Sequence, residues 1–363
     1  MIIDFMHLVH TYMYAPYEIK AYIEIDGEVR QVSVKLHQGI LSTIHKWTRH
    51  GKDKVIVCMD RPVPARKAYF TKINMEMGID KGYKEGRKSL PANVWEAVDQ
   101  ITAILREIGI PVCVGENYEA DDLIFSVLSD CKKKYPDTPI DIITNDADLL
   151  PLVDEQVSVF IKSTKFSSAV EPELLKKHYI QITPENFEAE VTQRGEYKKF
   201  RVPYNTLLLH KLIRGDKSDN IPMLKGYPPK KYNAMIEQME KDGINFSEVF
   251  RYGECPKQII DKQTGQILES SEGRAKGTFK IKYLKPVELD NILEIMSNYM
   301  SVDDLKHIER IYKGINLNQA YVEPVANGVR LPARVNTEPR EYSEDKFKAV
   351  MEKWNIRIRG TKK

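Results

Sequence analysis

Short apolar runs, each stopped by an acidic residue, recur through the first half of the chain. Met1-Ile2-Ile3 stops at Asp4. Val55-Ile56-Val57-Cys58-Met59 stops at Asp60. Ile140-Asp141-Ile142-Ile143-Thr144 runs into Asn145-Asp146-Ala147-Asp148. Runs of this length fit strands buried on both faces of a parallel sheet. Ile110-Pro111-Val112-Cys113-Val114 and Val157-Ser158-Val159-Phe160-Ile161 add two more. Stretches of helical spacing lie among them. Residues 39–50 predict a helix stopped by Gly51. Val94, Val98, Ile101, Leu105 and Ile108 predict another, opened by Ser89 and Pro91. Ala120, Leu123, Ile124, Val127, Leu128 and Cys131 predict a third, headed by Glu119, Asp121 and Asp122. Residues 21–25 and 29–35 flank Asp26-Gly27 as a hairpin. Strands alternating with helices predict an open α/β sheet with right-handed crossovers.

The second half is patterned differently. Residues 204–214 are apolar and basic, and the pattern breaks at Gly215-Asp216-Lys217-Ser218-Asp219-Asn220-Ile221-Pro222. Lys225-Gly226-Tyr227-Pro228-Pro229-Lys230-Lys231 predicts a turn, and 232–240 a helix. Residues 255–285 are polar and poorly patterned. Helices are predicted over 289–300, 302–313 and 342–354, with a proline-containing linker over 323–340.

In an open α/β sheet, ligands bind at the carboxyl ends of the strands. Asp4, Asp60, Asp146 and Asp148 each follow a predicted strand, and the Glu119 helix enters from the same edge. A single acid there is an ordinary turn former, and acids in a first helical turn complement the helix dipole. Three acids in four residues, with Asp121 beside Asp122, repel one another more than a cap requires, and a divalent cation relieves that repulsion. With Asp216 and Asp219, nine oxygen donors are in hand. Hard oxygen ligands select Mg²⁺ or Mn²⁺ over zinc, and so many suit two ions clamping a phosphodiester. His7 and His10 follow Asp4 at helical spacing and read as packing histidines.

Composition narrows the class. The 363 residues are 42% hydrophobic and 29% charged, with a net charge of only +3. An ordinary globular protein of about two domains is expected. No apolar run is long enough to span a bilayer, and Asp4 comes too early for a signal peptide. An intracellular, cytoplasmic location is therefore expected. Cys58, Cys113, Cys131 and Cys255 are scattered and read as free thiols in a reducing compartment. Basic charge clusters locally. Residues 61–90 carry eight basic residues against three acids, with Tyr69, Phe70 and Tyr83 interleaved; 191–231 carry ten against three. A charge run is usually a solvated face, but two such runs beside an acidic rim point to a polyanion.

At these residues the chain resembles the flap endonuclease family of structure-specific 5′ nucleases, most closely the bacterial and phage-type 5′-to-3′ exonucleases. Tyr118-Glu119-Ala120-Asp121-Asp122, Asn145-Asp146-Ala147-Asp148-Leu149 and Gly215-Asp216-Lys217-Ser218-Asp219-Asn220-Ile221-Pro222 are similar to its acidic motifs, in order. Tyr83-Lys84-Glu85-Gly86-Arg87 is similar to its basic arch motif. The likeness covers about residues 1–232. It implies a PIN-like, mostly parallel sheet with flanking helices and an arch (about 61–95) over 1–182. A helical duplex-binding region over 183–320 would carry a helix–three-turn–helix at about 207–240. A linker and tail would fill 321–363.

The resemblance also implies roles. Asp4, Asp60, Glu119 and Asp121 would serve one Mg²⁺. Asp122, Asp146, Asp148, Asp216 and Asp219 would serve a second, partly through water. Lys84 and Arg87 would stabilise charge on the scissile phosphate. Arg66 and Tyr83 would steer or stack the strand end. Lys225, Gly226, Lys230 and Lys231 would hold duplex DNA, with a K⁺ ion at the turn. The implied partners are DNA flaps, nicks and 5′ ends, together with RNA/DNA hybrids and replication proteins. A monomer is expected.

Two motifs depart from the family pattern: Phe5-Met6-His7 follows Asp4, and Met223 and Pro228 stand where glycines are usual. The resemblance gives no reading for the hairpin near Asp26, the insert over 183–201 or the tail beyond Leu284. A PIN-type ribonuclease shares the acidic α/β site but lacks the arch and the 216–231 segment. A haloacid dehalogenase phosphatase needs an Asp-x-Asp pair that Asp4-Phe5-Met6 does not supply. A non-catalytic DNA-binding replication factor would not need the complete acid set.

Overall fold

The structure is a computed structural model of the 363-residue chain. It describes all residues except 26–27, 49–52, 61–63, 116–117, 163–178, 186–187, 190–201, 255, 271–272, 276, 319–341 and 355–363. The Asp26-Gly27 turn, Cys255, most of the 183–201 insert and the 323–340 linker therefore lie outside the described residues.

A six-stranded sheet forms the frame, in the order β5 (Val112–Val114), β4 (Ile56–Met59), β1 (Ile2–Asp4), β6 (Ile140–Thr144), β7 (Val157–Lys162), β8 (Tyr179–Ile182). All neighbours run parallel except β8, which is antiparallel to β7. The continuous apolar runs now have their reason. Ile2, Ile56, Cys58 and Ile142 enter the core on one face, while Ile3, Val57, Met59 and Ile143 enter the core on the other. With both faces covered, most strand positions are apolar, and a polar exception such as Asp141 is only half-buried.

Helices α1 (Phe5–Met13), α2 (Lys35–Trp47) and α4 (Ala92–Glu107) supply the second core, and α5 (Ala120–Lys134) packs into the first. A hairpin of β2 (Lys20–Ile25) and β3 (Glu28–Ser33) joins α1 to α2. Helix α2 starts at Lys35, earlier than the pattern suggested. The basic segment after Asp60 holds helix α3 (Pro64–Glu76), whose Phe70 is fully buried. His7 is indeed a packing histidine, its Nε2 lying 2.8 Å from the Tyr179 hydroxyl. Among the described cysteines, Cys58, Cys113 and Cys131 are free.

The second half contributes α6 (Leu207–Arg214), α7 (Pro229–Lys241), α8 (Phe246–Val249), α9 (Val287–Met296) and α10 (Val302–Ile315). A short β9 (Glu188–Ala189) pairs with β10 (Val202–Pro203). The polar stretch that carried no expected element forms a three-stranded antiparallel sheet: β11 (Lys257–Asp261), β12 (Ile267–Leu268) and β13 (Phe279–Tyr283). Its signal was the alternation Phe279-Lys280-Ile281-Lys282-Tyr283, short enough to be lost among turn residues.

Helix α11 (Glu344–Lys353) returns to the second core. Phe347 is fully buried and stacks on His45 at 4.1 Å between centroids. The Tyr342 hydroxyl lies 2.5 Å from His45 Nδ1, and the Ser343 amide donates to the Ile108 carbonyl at 3.0 Å. Among the described residues no helix is long and apolar enough to cross a membrane.

Candidate active site

Strands β4, β1 and β6 are neighbours and parallel, so their carboxyl ends share one rim. Asp4 ends β1 and caps α1, its Oδ1 accepting from the Met6 and His7 amides at 3.1 and 3.3 Å. Its Oδ2 accepts from the Thr144 hydroxyl at 2.9 Å, which ties it to the end of β6. The same hydroxyl accepts from the Asp146 amide at 2.9 Å. Asp60 follows β4 and accepts from the Ala120 amide, at the start of α5. That helix is held by a capping box between Glu119 and Asp122, with the Glu119 amide donating to Asp122 Oδ2 at 3.0 Å. Asp146 caps the next turn through the Asp148 amide at 2.9 Å. The 216–221 loop brings ligand oxygens of Asp148, Asp216 and Asp219 within 4.8 Å of one another.

The electrostatics tie these acids into one cluster. Burial, with Asp60 nearby, raises the Asp4 carboxyl to about 6. Burial also raises Asp60. Asp121 is pushed well above the usual range by burial and by Asp146, Asp60 and Glu119. Asp146 rises to about 7 through lost hydration and the charge of Asp148, against the opposing pull of Lys211 and of the Asp148 amide. Crowded carboxylates that hold protons near neutral pH are what a site for divalent cations should contain when only side chains fill it.

Cations of the chain itself engage part of the cluster. Arg66, buried at 3% exposure, pairs with Glu119 and Asp122 and donates to the Asn316 carbonyl at 3.4 Å. Lys84 Nζ lies 2.5 Å from Glu119 and 3.9 Å from Asp219. Arg87 pairs with Asp219. Burial alone would raise Glu119, but Arg66 and Lys84 outweigh it and hold the carboxyl at about 2. Tyr83 is buried and stacked on Phe70 at 5.2 Å, and its hydroxyl points at Glu119 and Asp219 at 3.3 and 3.4 Å. Arg66 and Tyr83, for which the resemblance implies steering or stacking of the strand end, both lie buried against the acids.

One participant was missed. Lys211 on α6 is buried and pairs with Asp148 and, at 3.5 Å, with Asp216. Burial would raise Asp216, but Lys211 and Ser218 hold it below the usual range. A lone lysine inside Leu207-Leu208-Leu209-His210-Lys211-Leu212-Ile213 was the available signal, since an unpaired cation is rarely tolerated in an apolar face.

Lys225, Gly226, Lys230 and Lys231 are not gathered with the acids. They are exposed around the start of α7, where Gly226 has φ 86° and Pro228 and Pro229 open the helix. Lys231 Nζ sits 3.8 Å from the Tyr227 ring centroid.

A family model described as the 5′-3′ exonuclease N-terminal resolvase-like domain matches residues 1–188, just over half of the chain. The chain belongs to the 5′-3′ exonuclease family. The family match takes in seven of the nine acids, with Lys84 and Arg87, and stops before Asp216 and Asp219. Among curated relatives, the chain is 30% identical over 281 residues to DNA polymerase I of Caldicellulosiruptor bescii, covering 76% of this chain and 28% of that protein. It is 26% identical over 226 residues to a 5′-3′ exonuclease of Mycoplasma pneumoniae, covering 60% and 70%. The chain thus spans little more than a quarter of the polymerase. A solved T5 5′-exonuclease with divalent zinc ions bound aligns over 97% of each chain at 14% identity and a TM-score of 0.46.

Proposed function

We propose that this chain is a metal-dependent 5′ nuclease, hydrolysing phosphodiesters of flapped, nicked or 5′-ended DNA, with RNA primers in hybrids as a further substrate. The observation that carries this reading is an acidic rim in which Asp148, Asp216 and Asp219 bring oxygens within 4.8 Å of one another and Asp121 feels the charge of Asp146, Asp60 and Glu119, with Lys84 set against Glu119 and Arg87 against Asp219. Family membership supports it, as does the printed activity of the Mycoplasma relative.

The donor set fits Mg²⁺ or Mn²⁺, because the cluster offers carboxylates and no thiol or imidazole. Asp4, Asp60, Glu119 and Asp121 would hold one ion, and Asp146, Asp148, Asp216 and Asp219 a second. Asp122 is more enclosed than Asp4 or Glu119, its side chain 1% exposed and held by Arg66 and the Glu119 amide, so it would act from behind the ligands. Divalent ions in such a site supply Lewis acidity to the phosphodiester and make an attacking water more acidic. The chain's own groups do the rest. Lys84 and Arg87, now paired with Glu119 and Asp219, would exchange those carboxylates for the scissile phosphate and offset its developing charge. Exposed Lys225, Lys230 and Lys231 would grip duplex backbone as point charges, because Pro228 and Pro229 have no amide to donate.

The test is cleavage of 5′-labelled flap, nicked, single-stranded and primer-hybrid substrates, with Mg²⁺ or with EDTA. Cleavage is expected with the metal only. Asp146→Asn should abolish it while leaving DNA affinity in Ca²⁺ little changed. A protein that cuts none of these substrates in Mg²⁺ or Mn²⁺ overturns the reading.

A further inference from the structure

Among the described non-glycine residues, only Lys84 and Asn220 hold a left-handed backbone, at φ 52° and φ 57°. They belong to two loops that face each other. Such backbones persist only where surrounding structure imposes them. Asparagine tolerates this region; a lysine has no local hydrogen bond that favours it.

What imposes it is visible in the hydrogen bonds. The Lys84 amide donates to the Asp219 carbonyl at 3.0 Å. Asn220 Nδ2 donates to the carbonyls of Gly82 at 2.8 Å and Glu85 at 3.2 Å. Asn74, fully buried on α3, donates from Nδ2 to the Lys81 carbonyl at 2.7 Å and the Asn220 carbonyl at 2.8 Å. The 216–221 turn does not need the Asn220 side chain for its own closure. Its backbone already does that, Asp216 and Ile221 exchanging amide bonds at 3.1 and 2.8 Å. Both hydrogen bonds of its Nδ2 go to the other loop. Asn74 leaves its own Oδ1 buried and unpaired to make its two bonds, an arrangement that simple packing does not require.

We propose that Asn74 and Asn220 are positioning residues: they latch the 81–87 loop onto the 216–221 loop and so set where Lys84 and Arg87 meet the acids and the substrate phosphate. The inference rests on the nuclease reading for its catalytic consequence, but the latch itself is a property of the free protein. One strap carries Asp216, Asp219 and Asn220, so cations and carboxylates move as a unit.

The decisive variant is Asn220→Gly. It keeps the left-handed backbone and removes both donors. Asn220→Asp keeps the shape but turns a carboxylate on the Gly82 and Glu85 carbonyls. Hydrogen exchange of metal-free, DNA-free protein should speed up over 81–87 in both variants, with the rest of the chain unchanged. Single-turnover cleavage in Mg²⁺ should fall by about 10- to 100-fold, the scale of a small misplacement of a catalytic group, while DNA affinity in Ca²⁺ stays near wild type. Asn74→Asp should act in the same direction, and combining it with Asn220→Gly should cost less than the product of the two. Wild-type exchange over 81–87 in Asn220→Gly overturns the latch. Faster exchange with an unchanged cleavage rate overturns its positioning role. A wild-type chain that cleaves nothing overturns the nuclease reading instead, and the exchange comparison still decides the latch.

Discussion

Lys211 provides the sharpest check on the electrostatics of the rim. Its side chain is 10% exposed and its ammonium sits against Asp148 and Asp216, whose side chains are 29% and 23% exposed. Lys211→Met keeps the length and apolar stem but deletes the charge. Removing one partner of a buried ion pair typically costs about 3–5 kcal/mol, because the other charge stays behind. The partial exposure of both aspartates lets water screen them, so about 2–3 kcal/mol is the figure for this site. For a chain of 363 residues that corresponds to a fall in Tm of about 3–4 °C. The loss should be specific to metal-free protein. A divalent ion at about a hundred times its Kd contributes about 2.7 kcal/mol, close to what the lysine supplied, and the ion no longer competes with an ammonium. Thermal melts of wild type and variant in EDTA, then across a Mn²⁺ or Mg²⁺ titration, read both effects. An EDTA melt that matches wild type, or a deficit that saturating metal leaves intact, would refute the assignment of Lys211 as the resident counter-charge of the Asp148–Asp216 pair.

Other consequences follow from the same structure. Asp4 is raised to about 6, so folded protein keeps a proton that the unfolded chain has already lost; the stabilisation is complete at low pH and fades as pH climbs through about 6. Metal-free protein should therefore lose Tm between about pH 4 and 7, and metal binding at pH 6 should release protons; equal calorimetric enthalpies in buffers of different ionisation heat would contradict this. Replacing Lys230 and Lys231 together by Ala should weaken duplex binding uniformly and flatten its salt dependence by about two, whereas an unchanged slope puts the duplex surface elsewhere. Phe347→Ala empties a fully buried site against His45 and should cost about 3–5 kcal/mol of stability; a chemical-denaturation midpoint near wild type would mean that α11 is not part of the core.

The sequence by itself determined the sheet, because strands buried on both faces are mostly apolar and each run shows where it ends. It also determined the rim, since parallel neighbours place the residues after their ends side by side: Asp4, Asp60 and Asp146 were legible for that reason alone. Asp216 and Asp219 were legible only through their motif, because nothing in their spacing says which loop reaches back to the rim. Tertiary structure alone decided the partners. Arg66 and Tyr83 look like surface residues in a basic stretch. Whether a cation faces solvent or a carboxylate depends on how α3 and the 81–87 loop fold over α5, a contact between residues 35 to 56 positions apart. The same holds for Lys211 beside Asp148 and for Asn74 and Asn220. Burial of a charge is settled by the groups that three-dimensional packing brings to it, and local periodicity carries no record of them.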